Sequence, residues 1–600
     1  MEASVYIQNI ENFYGGKKMK KLLAMLLVLA MVFAMAACNQ QPVEPTGDDE
    51  PTGEEYNAED YISDAFIDPV TEWAQYDEFI AQIKAETDFA KRTELMHQAE
   101  DILMSNYCVI PLYYYNDIYM KKDYVKGDYA NAFATKFFMY VTMENGADTL
   151  RINLASEPDY LDPALNSSVD GACLAANSFS GLYTYNAEGK CVPACATGYE
   201  VSEDGLTYTV TLQEGLKWSD GSDLTAADFE YSWKRATADK TAADYAYMFS
   251  GFDGYGTEAG INVVALDATT LQFVLSAPCA YMEDLMAFPT FYPVKQAAVE
   301  ANPDWETTPG GWCTEAGFVS NGAFVCTGWD HNVSMTYEKN PYWYNADQVT
   351  INKIEFMLSA DDTAIYAAYN AGDVDFIDSV PTDEIATLLA ENNPEFYIVD
   401  ELGTYYVAFN CKSELFADKT PAQAACMREA FSILVDRDYI CENVGQTGQV
   451  AANAYIPLGM ADGNGGIFKT DATGEGYYDP YAINNDYEGT VAKAIELLKA
   501  AGYKFTEDGK LSEETPIVIE YLTNESSGHI AVAESMQQDF AAIGIQMSIQ
   551  VQDWNVFLEE RKNGNFDIAR EGWIADFNDP INMLEMWTTE SGNNDCQYGR

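Results

Sequence analysis

Basic residues are scarce in this 600-residue chain: Lys and Arg number 33 against 95 Asp and Glu, a formal net charge of −62. Nucleic-acid binding needs a basic footprint to neutralise phosphates, and none is present. Histidine is scarcer still; His97, His331 and His529 are the full set of 3. None lies in an H-E-x-x-H pattern, and neither a G-x-x-x-x-G-K-[ST] loop nor a G-x-S-x-G elbow occurs. The 12 Cys contain no C-x-x-C pair. Cys191 and Cys195 come closest, and without a neighbouring His they make a poor zinc set. An enzyme, such as an anchored peptidase or glycosidase, would need a nucleophile or a metal set, and the three scattered His offer neither. Carboxylate pairs are frequent, but 95 acids generate them by chance.

What is present is bulk and aromatic surface. The chain is 48% hydrophobic and 13% aromatic, with 41 Tyr. That supports large lobes with real cores, two or three domains rather than one. Tyr joins an apolar ring to a polar tip and suits both cores and ligand clefts. The acidic balance reads first as a solvated surface and second as a cleft that attracts cationic ligands.

The front end reads as an export signal. Lys17, Lys18, Lys20 and Lys21 precede an apolar run, Leu22 to Ala37, which ends in Ala36-Ala37 directly before Cys38. A basic region, an apolar region and small residues at a cleavage point describe a signal peptide. The run is shorter than the roughly 20 residues of a membrane span. Residues 1–18 read as an over-extended start before Met19. Met35-Ala36-Ala37-Cys38 resembles a bacterial lipobox, with Met35 where that pattern has Leu, so Cys38 is expected to carry a lipid. The stretch that follows is rich in Pro, Gly and acid, and residues 39–70 are expected to form a flexible tether.

The body reads as α/β. TYTVTL at 207–212, IVIEYL at 517–522 and IQMSIQV at 545–551 have strand character. Residues 90–103, 226–235, 491–501 and 530–543 have helical periodicity, the third closed by Gly502.

Several ordered blocks carry a family resemblance. Trp218-Ser219-Asp220-Gly221 is followed by Leu224-Thr225-Ala226-Ala227-Asp228-Phe229 and Tyr231-Ser232-Trp233-Lys234-Arg235. Asn321-Gly322-Ala323-Phe324, Asn340-Pro341-Tyr342-Trp343-Tyr344, Phe409-Asn410 with Asp436-Arg437, and Gly572 to Pro580 (GWIADFNDP) follow in order. The chain resembles the oligopeptide-binding family of ABC importers over about residues 76–600. The resemblance implies a bilobal Venus-flytrap fold, type II periplasmic-binding-protein-like, with an extra appended domain. Lobe I is expected from residues 116–180 and 316–404, the appended domain from 181–315, and lobe II from 71–115 and 405–600. The implied ligand is an extended oligopeptide with no cofactor, and the implied partners are ABC permease subunits. A monomer anchored by lipid on the outer face of a bacterial cell membrane is expected, with no nucleic-acid partner.

The resemblance also supplies site residues. Asp576 matches the family's anchor for the peptide α-amine, and Trp573 a ligand-lining position beside it. Trp554 matches an aromatic pocket wall. Arg561 and Arg570 match positions that can meet peptide carboxylates, a task suited to the planar guanidinium, with an internal ion pair as the alternative for either in so acidic a chain. Tyr245 and Val169 match cleft contacts. Relatives that bind nickel complexes, haem or glutathione, and peptide-signal sensing on the same fold, remain open alternatives.

Chain order departs from the family. Tyr76-Asp77-Glu78-Phe79, the helix 90–103 and the strand 109–115 look like the family's C-terminal end, yet precede its N-terminal start near residue 149. The order reads as a circular permutation joined through residues 143–148. It predicts that residues 76–142 pack in the same body as 149–600, with 134–142 strand-like near 149–154. It also predicts Arg600 within about 25 Å of Trp73, the reach of some seven extended residues.

Overall fold

The structure is a computed structural model, and it describes residues 56–154, 156–469 and 487–600. Cys38 and the export signal lie outside the described residues.

Among the described residues, one sheet of 11 strands runs through the body. In chain order its strands are β1 (Val109–Lys121), β2 (Thr149–Asn153), β3 (Phe324–Asp330), β4 (Ser334–Lys339), β5 (Lys353–Met357), β6 (Phe376–Ile377), β7 (Phe396–Phe409), β8 (Val450–Ala451), β9 (Val518–Asn524), β10 (Gln546–Gln552) and β11 (Ile568–Ile574). Their spatial order is β3-β4-β5-β2-β6-β1-β7-β11-β9-β10, with β8 on β1. The side of the sheet with β2–β6 is called lobe I below, and the side with β8–β11 lobe II.

The join between lobes is made by β1 and β7, at 13 and 14 residues, more than twice the usual strand length. They pair antiparallel from Val109↔Ala408 to Met120↔Phe396. The register shifts between Tyr114 and Asn116, where the partner positions jump from Thr404 to Asp400. The irregularity takes in Tyr115 on β1 and residues 401–403 on β7. A bulge twists and bends a strand pair, which suits a hinge.

Seven helices matter below: α1 (Ala74–Ala85), α2 (Phe89–Ser105), α3 (Val169–Ser178), α4 (Asp362–Ala371), α5 (Ser527–Ala541), α6 (Trp554–Lys562) and α7 (Ile581–Glu585). Residues 181–315 hold a separate antiparallel sheet, in the order 263–265, 270–274, 207–212 and 196–201. The helix Ala226–Ala236 starts in a capping box of Thr225 and Asp228, which satisfies otherwise unpaired N–H groups. Trp233 on it is fully buried, and its indole donates to the Phe291 carbonyl at 2.8 Å.

Residues 74–142 are integral to this body. β1 lies between β6 and β7 in the middle of the sheet. The Trp73 indole donates to the Trp587 carbonyl at 2.8 Å, and the Tyr76 hydroxyl to the Leu584 carbonyl at 2.9 Å. The Trp73 ring stacks on Tyr598 with centroids 4.0 Å apart. The Gly599 amide donates to the Pro69 carbonyl at 2.9 Å, which sets Arg600 beside the same region.

Two expectations need correction. Residues 56–70 are no part of a tether: Tyr56, Tyr61, Ile62 and Ile67 pack on the core, and Ala58 is buried. Apolar residues interspersed among the acids make that packing favourable. Residues 134–142 are not one strand beside 149–154. They contain a two-residue strand, Lys136–Phe137, paired with Tyr129–Ala130, while Thr142–Met143 pairs with Val125–Lys126. Residues 144–148 are exposed, and Gly146 takes a left-handed turn conformation at φ 81°, which only Gly adopts freely.

Candidate ligand-binding cavity

Between the lobes lies a cavity of about 510 Å³, within the range of small-ligand sites. Its floor is the hinge, with Tyr113, Tyr115, Asp117 and Glu401 from β1 and β7. The lobes meet on both sides of it. On one side Asp362 at the start of α4 accepts hydrogen bonds from the Ser527 amide (3.0 Å) and hydroxyl (2.6 Å) at the start of α5. On the other, Lys562 of α6 pairs with Asp244 and donates to Ser167 at 3.2 Å. The lobes are therefore closed over the space between them.

All seven residues expected at a ligand site line this one cavity: Val169, Tyr245, Trp554, Arg561, Arg570, Trp573 and Asp576. Val169 opens α3 and is exposed to the space. Trp554 opens α6 and packs on Phe557. Tyr245 comes from the appended domain; its hydroxyl donates to Asp576 Oδ1 at 3.3 Å, and its ring lies 6.1 Å from Trp573. β11 delivers Arg570, Gly572 and Trp573 to the wall. A Cβ at Gly572 would sit 2.1 Å from the Tyr115 hydroxyl oxygen, so any larger residue there must displace the Tyr115 ring.

The two arginines part company. Arg561 pairs with Glu571 at 2.9 Å and with Asp595 at 2.7 Å. Its charge is spent on this internal ion pair, the alternative that the acidic composition offered to a peptide carboxylate. Arg570 pairs with no carboxylate among the described residues, and its guanidinium lies over Tyr405 at 5.6 Å. Beside it His529 accepts or donates through Nδ1 to the Tyr405 hydroxyl at 3.1 Å. Burial and the Arg570 charge push His529 well below its usual range, leaving a neutral ring.

Carboxylates dominate the rest. Lys136 is shared by Asp117 and Asp378, each at 2.9 Å. Burial raises Asp378, with Asp117 and Asp170 adding like charge. Burial also lifts Asp170 to about 6, and raises Glu401 together with the Asp117 charge. Asp576 is pushed up to about 7 by burial, while hydrogen bonds from Asn582 and Tyr245 pull it down. It has no cation partner among the described residues. The Lys136 cluster, His529 and Asn582 were not expected from sequence; a lone Lys, His or Asn carries no local signal.

Comparison with known proteins decides the family. The profile of the bacterial extracellular solute-binding proteins, family 5, matches residues 190–595. This chain belongs to that family. The oligopeptide-binding protein OppA of Bacillus subtilis (strain 168) is 31% identical over 465 residues, covering 75% of this chain and 79% of the relative. The periplasmic murein peptide-binding protein MppA of Escherichia coli (strain K12) is 31% identical over 456 residues, covering 74% and 78%. Haemophilus influenzae OppA, in a crystal structure with the peptide RPPGFSPFR, superposes with a TM-score of 0.66 at 26% identity, covering 76% of this chain and 85% of that one. Members of family 5 are solute-binding proteins rather than enzymes, and their bilobal type II fold is the one seen here. Among the described residues no helix is long and apolar enough to cross a membrane.

Proposed function

We propose that this chain is an extracytoplasmic receptor that encloses an extended oligopeptide between its lobes and passes it to an ABC importer. Asp576 holds the peptide α-amine. Arg570 receives a peptide carboxylate, and Trp573, Trp554, Tyr245 and Val169 contact the chain between. The observation that carries this reading is Asp576 itself: a carboxylate facing a closed cavity with no cation beside it among the described residues. A buried carboxylate without a partner is costly, and a protonated amine removes that cost through a charge-assisted hydrogen bond. The names of the relatives support peptides as the ligand class. Mass spectrometry of ligands carried through purification tests it: short peptides are expected, and a metal chelate, haem or glutathione in their place would overturn the reading.

The cavity's charge favours basic peptides. Asp117, Asp170, Asp378 and Glu401 face it, and Lys136 pairs with Asp117 and Asp378. Lysine-rich peptides should bind more tightly than glutamate-rich ones of equal length, and equal affinities in calorimetry would remove this preference.

Delivery from a membrane anchor on Cys38, as a monomer, completes the proposal. Cys38→Ala should release the protein from membranes, and unchanged membrane association in that variant contradicts the anchor. The chain order is proposed to be a circular permutation. The place of β1 in the sheet and the Gly599–Pro69 bond support it, because packing depends on contacts rather than on which bond joins the pieces. A chain reordered to begin near 149, with 56–142 following 600, should fold and bind peptide; failure to fold would count against the permutation.

A further inference from the structure

We propose that Asn582 is the positioning residue for the amine anchor, its side-chain amide fixing Asp576 and Trp573 in one arrangement that leaves the Asp576 carboxylate turned to the cavity. The inference rests on the reading of Asp576 as the group that takes the α-amine.

Asn582 is fully buried near the start of α7. Its Oδ1 accepts from the Trp573 indole at 3.0 Å and from the Asp576 backbone amide at 3.0 Å. Its Nδ2 donates to Asp576 Oδ2 at 2.8 Å. One side chain thus uses both acceptor lone pairs of its carbonyl and a donor of its amide on the two residues expected to meet the ligand's first residue. Only an amide offers both functions in that geometry: an ionised carboxylate has no donor, and a hydroxyl is too short to bridge three groups. With Oδ2 tethered by Asn582, and Oδ1 held by a long 3.3 Å bond from Tyr245, the remaining lone pairs of Asp576 are available to a ligand.

Asn582 is itself held firmly. Its backbone amide donates to the Asp579 carbonyl at 3.0 Å, and Asp579 Oδ1 accepts from the Ile581 amide at 3.0 Å. The Asp579 carboxylate is gripped by both terminal nitrogens of Arg92 from α2, each at 2.8 Å, with both side chains nearly inaccessible. This bidentate pair locks the start of α7 to lobe II.

The surroundings of Asp576 set the sign of a pH effect. Tyr245 and Tyr247 of the appended domain face it, and both are held in the neutral form by burial and by the carboxylate's charge. Glu585 of α7 adds like charge, and Lys84 of α1 pairs with Glu585. Against burial, the Asn582 bond favours the ionised Asp576 that an ammonium group requires.

The test is calorimetric titration of trilysine and N-acetyl-trilysine between pH 5 and 7.5, where an α-amine stays largely protonated. In the wild type, trilysine should bind more tightly as pH rises toward 7, and more steeply than the acetylated form, which keeps only the dependence its lysines owe to the raised Asp170, Asp378 and Glu401 carboxylates. In Asn582→Asp, which keeps the shape and replaces the donor by an acceptor, trilysine affinity at pH 7 should fall by about tenfold or more. The midpoint of its pH dependence should move up by about one unit, with the acetylated peptide little changed. Asn582→Ser, checked by thermal melting alongside, should lose the same preference for the free amine. Wild-type midpoint and preference in folded Asn582→Asp or Asn582→Ser would overturn the positioning role. No preference for the free amine in the wild type would instead overturn the amine-anchor reading.

Discussion

Two blocks of this chain, Trp218–Arg235 in the appended domain and Arg570–Asn582 in lobe II, have similar ingredients and opposite tasks. Both combine tryptophans with aspartates. In the first, Trp218 and Trp233 are wholly buried, Asp228 caps a helix, and Asp220 pairs with Lys295. No residue from 218 to 235 lines the cavity. In the second, Trp573 faces the cavity at the edge of burial, and Asp576 has no cation partner among the described residues. The longest signature in the sequence is therefore architectural, and the shorter late block lines the cavity. A recognisable motif marks where the backbone and packing are demanding, which need not be where the chemistry is.

Substitutions sharpen that contrast. The largest effects should fall on stability. Trp233→Ala removes a fully buried ring and its bond to Phe291, and should cost about 3–5 kcal/mol in denaturant unfolding, while the folded fraction binds peptide with unchanged affinity. A lost affinity with intact stability would reverse the roles of the two blocks. Arg561→Leu should rank beside it, because it strands Glu571 and Asp595 as buried charges; breaking such a pair costs about 3–5 kcal/mol. Arg570→Gln leaves no such stranded charge and should cost little stability. It should weaken peptides with a free carboxylate more than their amides, and equal losses for both forms would remove Arg570 from the carboxylate role.

Asp576→Asn should weaken free-amine peptides by about 1.5–3 kcal/mol, the worth of a hydrogen bond to a charged group. The same change should stabilise the ligand-free protein at high pH. Asp576 is raised in the folded state to about 7 from 3.8, so the stability linked to it is complete below the unfolded value and is lost as pH rises through the folded one. Wild type and variant should therefore melt alike near pH 3.5 and diverge by pH 8, the variant being the more stable; the opposite order at pH 8 contradicts the burial argument. The smallest effect belongs to Tyr245→Phe, which removes one long bond to Asp576 and should cost about 0.5–1.5 kcal/mol of affinity. A loss as large as that of Asp576→Asn would make Tyr245 a principal ligand contact.

Much of the architecture was legible in local pattern. The alternation of TYTVTL reappears as the strand 207–212, and Thr225 with Asp228 as the capping box of the helix that follows. These rest on contacts between near neighbours, so the residues that specify them lie side by side in the chain. The strand 109–115 was legible only in part: β1 continues to Lys121 because β7 and β6 supply partners across the hinge. Nothing in Tyr115 to Lys121 announces those partners. Residues 56–70 misled for a related reason. Their composition suits a tether, and the few apolar side chains among the acids gain a surface to pack on only once lobe II exists.

By itself, the sequence determined the α/β class, the family, and seven of the residues that line the cavity, because these depend on side-chain types in a fixed order along the chain. Tertiary structure alone decided how those residues divide the work. Arg561 and Arg570 stand nine positions apart with the same side chain; one is neutralised by Glu571 and Asp595, and the other is left to the cavity. Asp576 is an ordinary aspartate until Asn582, Tyr245 and the closed lobes surround it. A carboxylate's charge, and an arginine's availability, are set by the few ångströms of protein around it, and those are assembled from parts of the chain hundreds of residues apart.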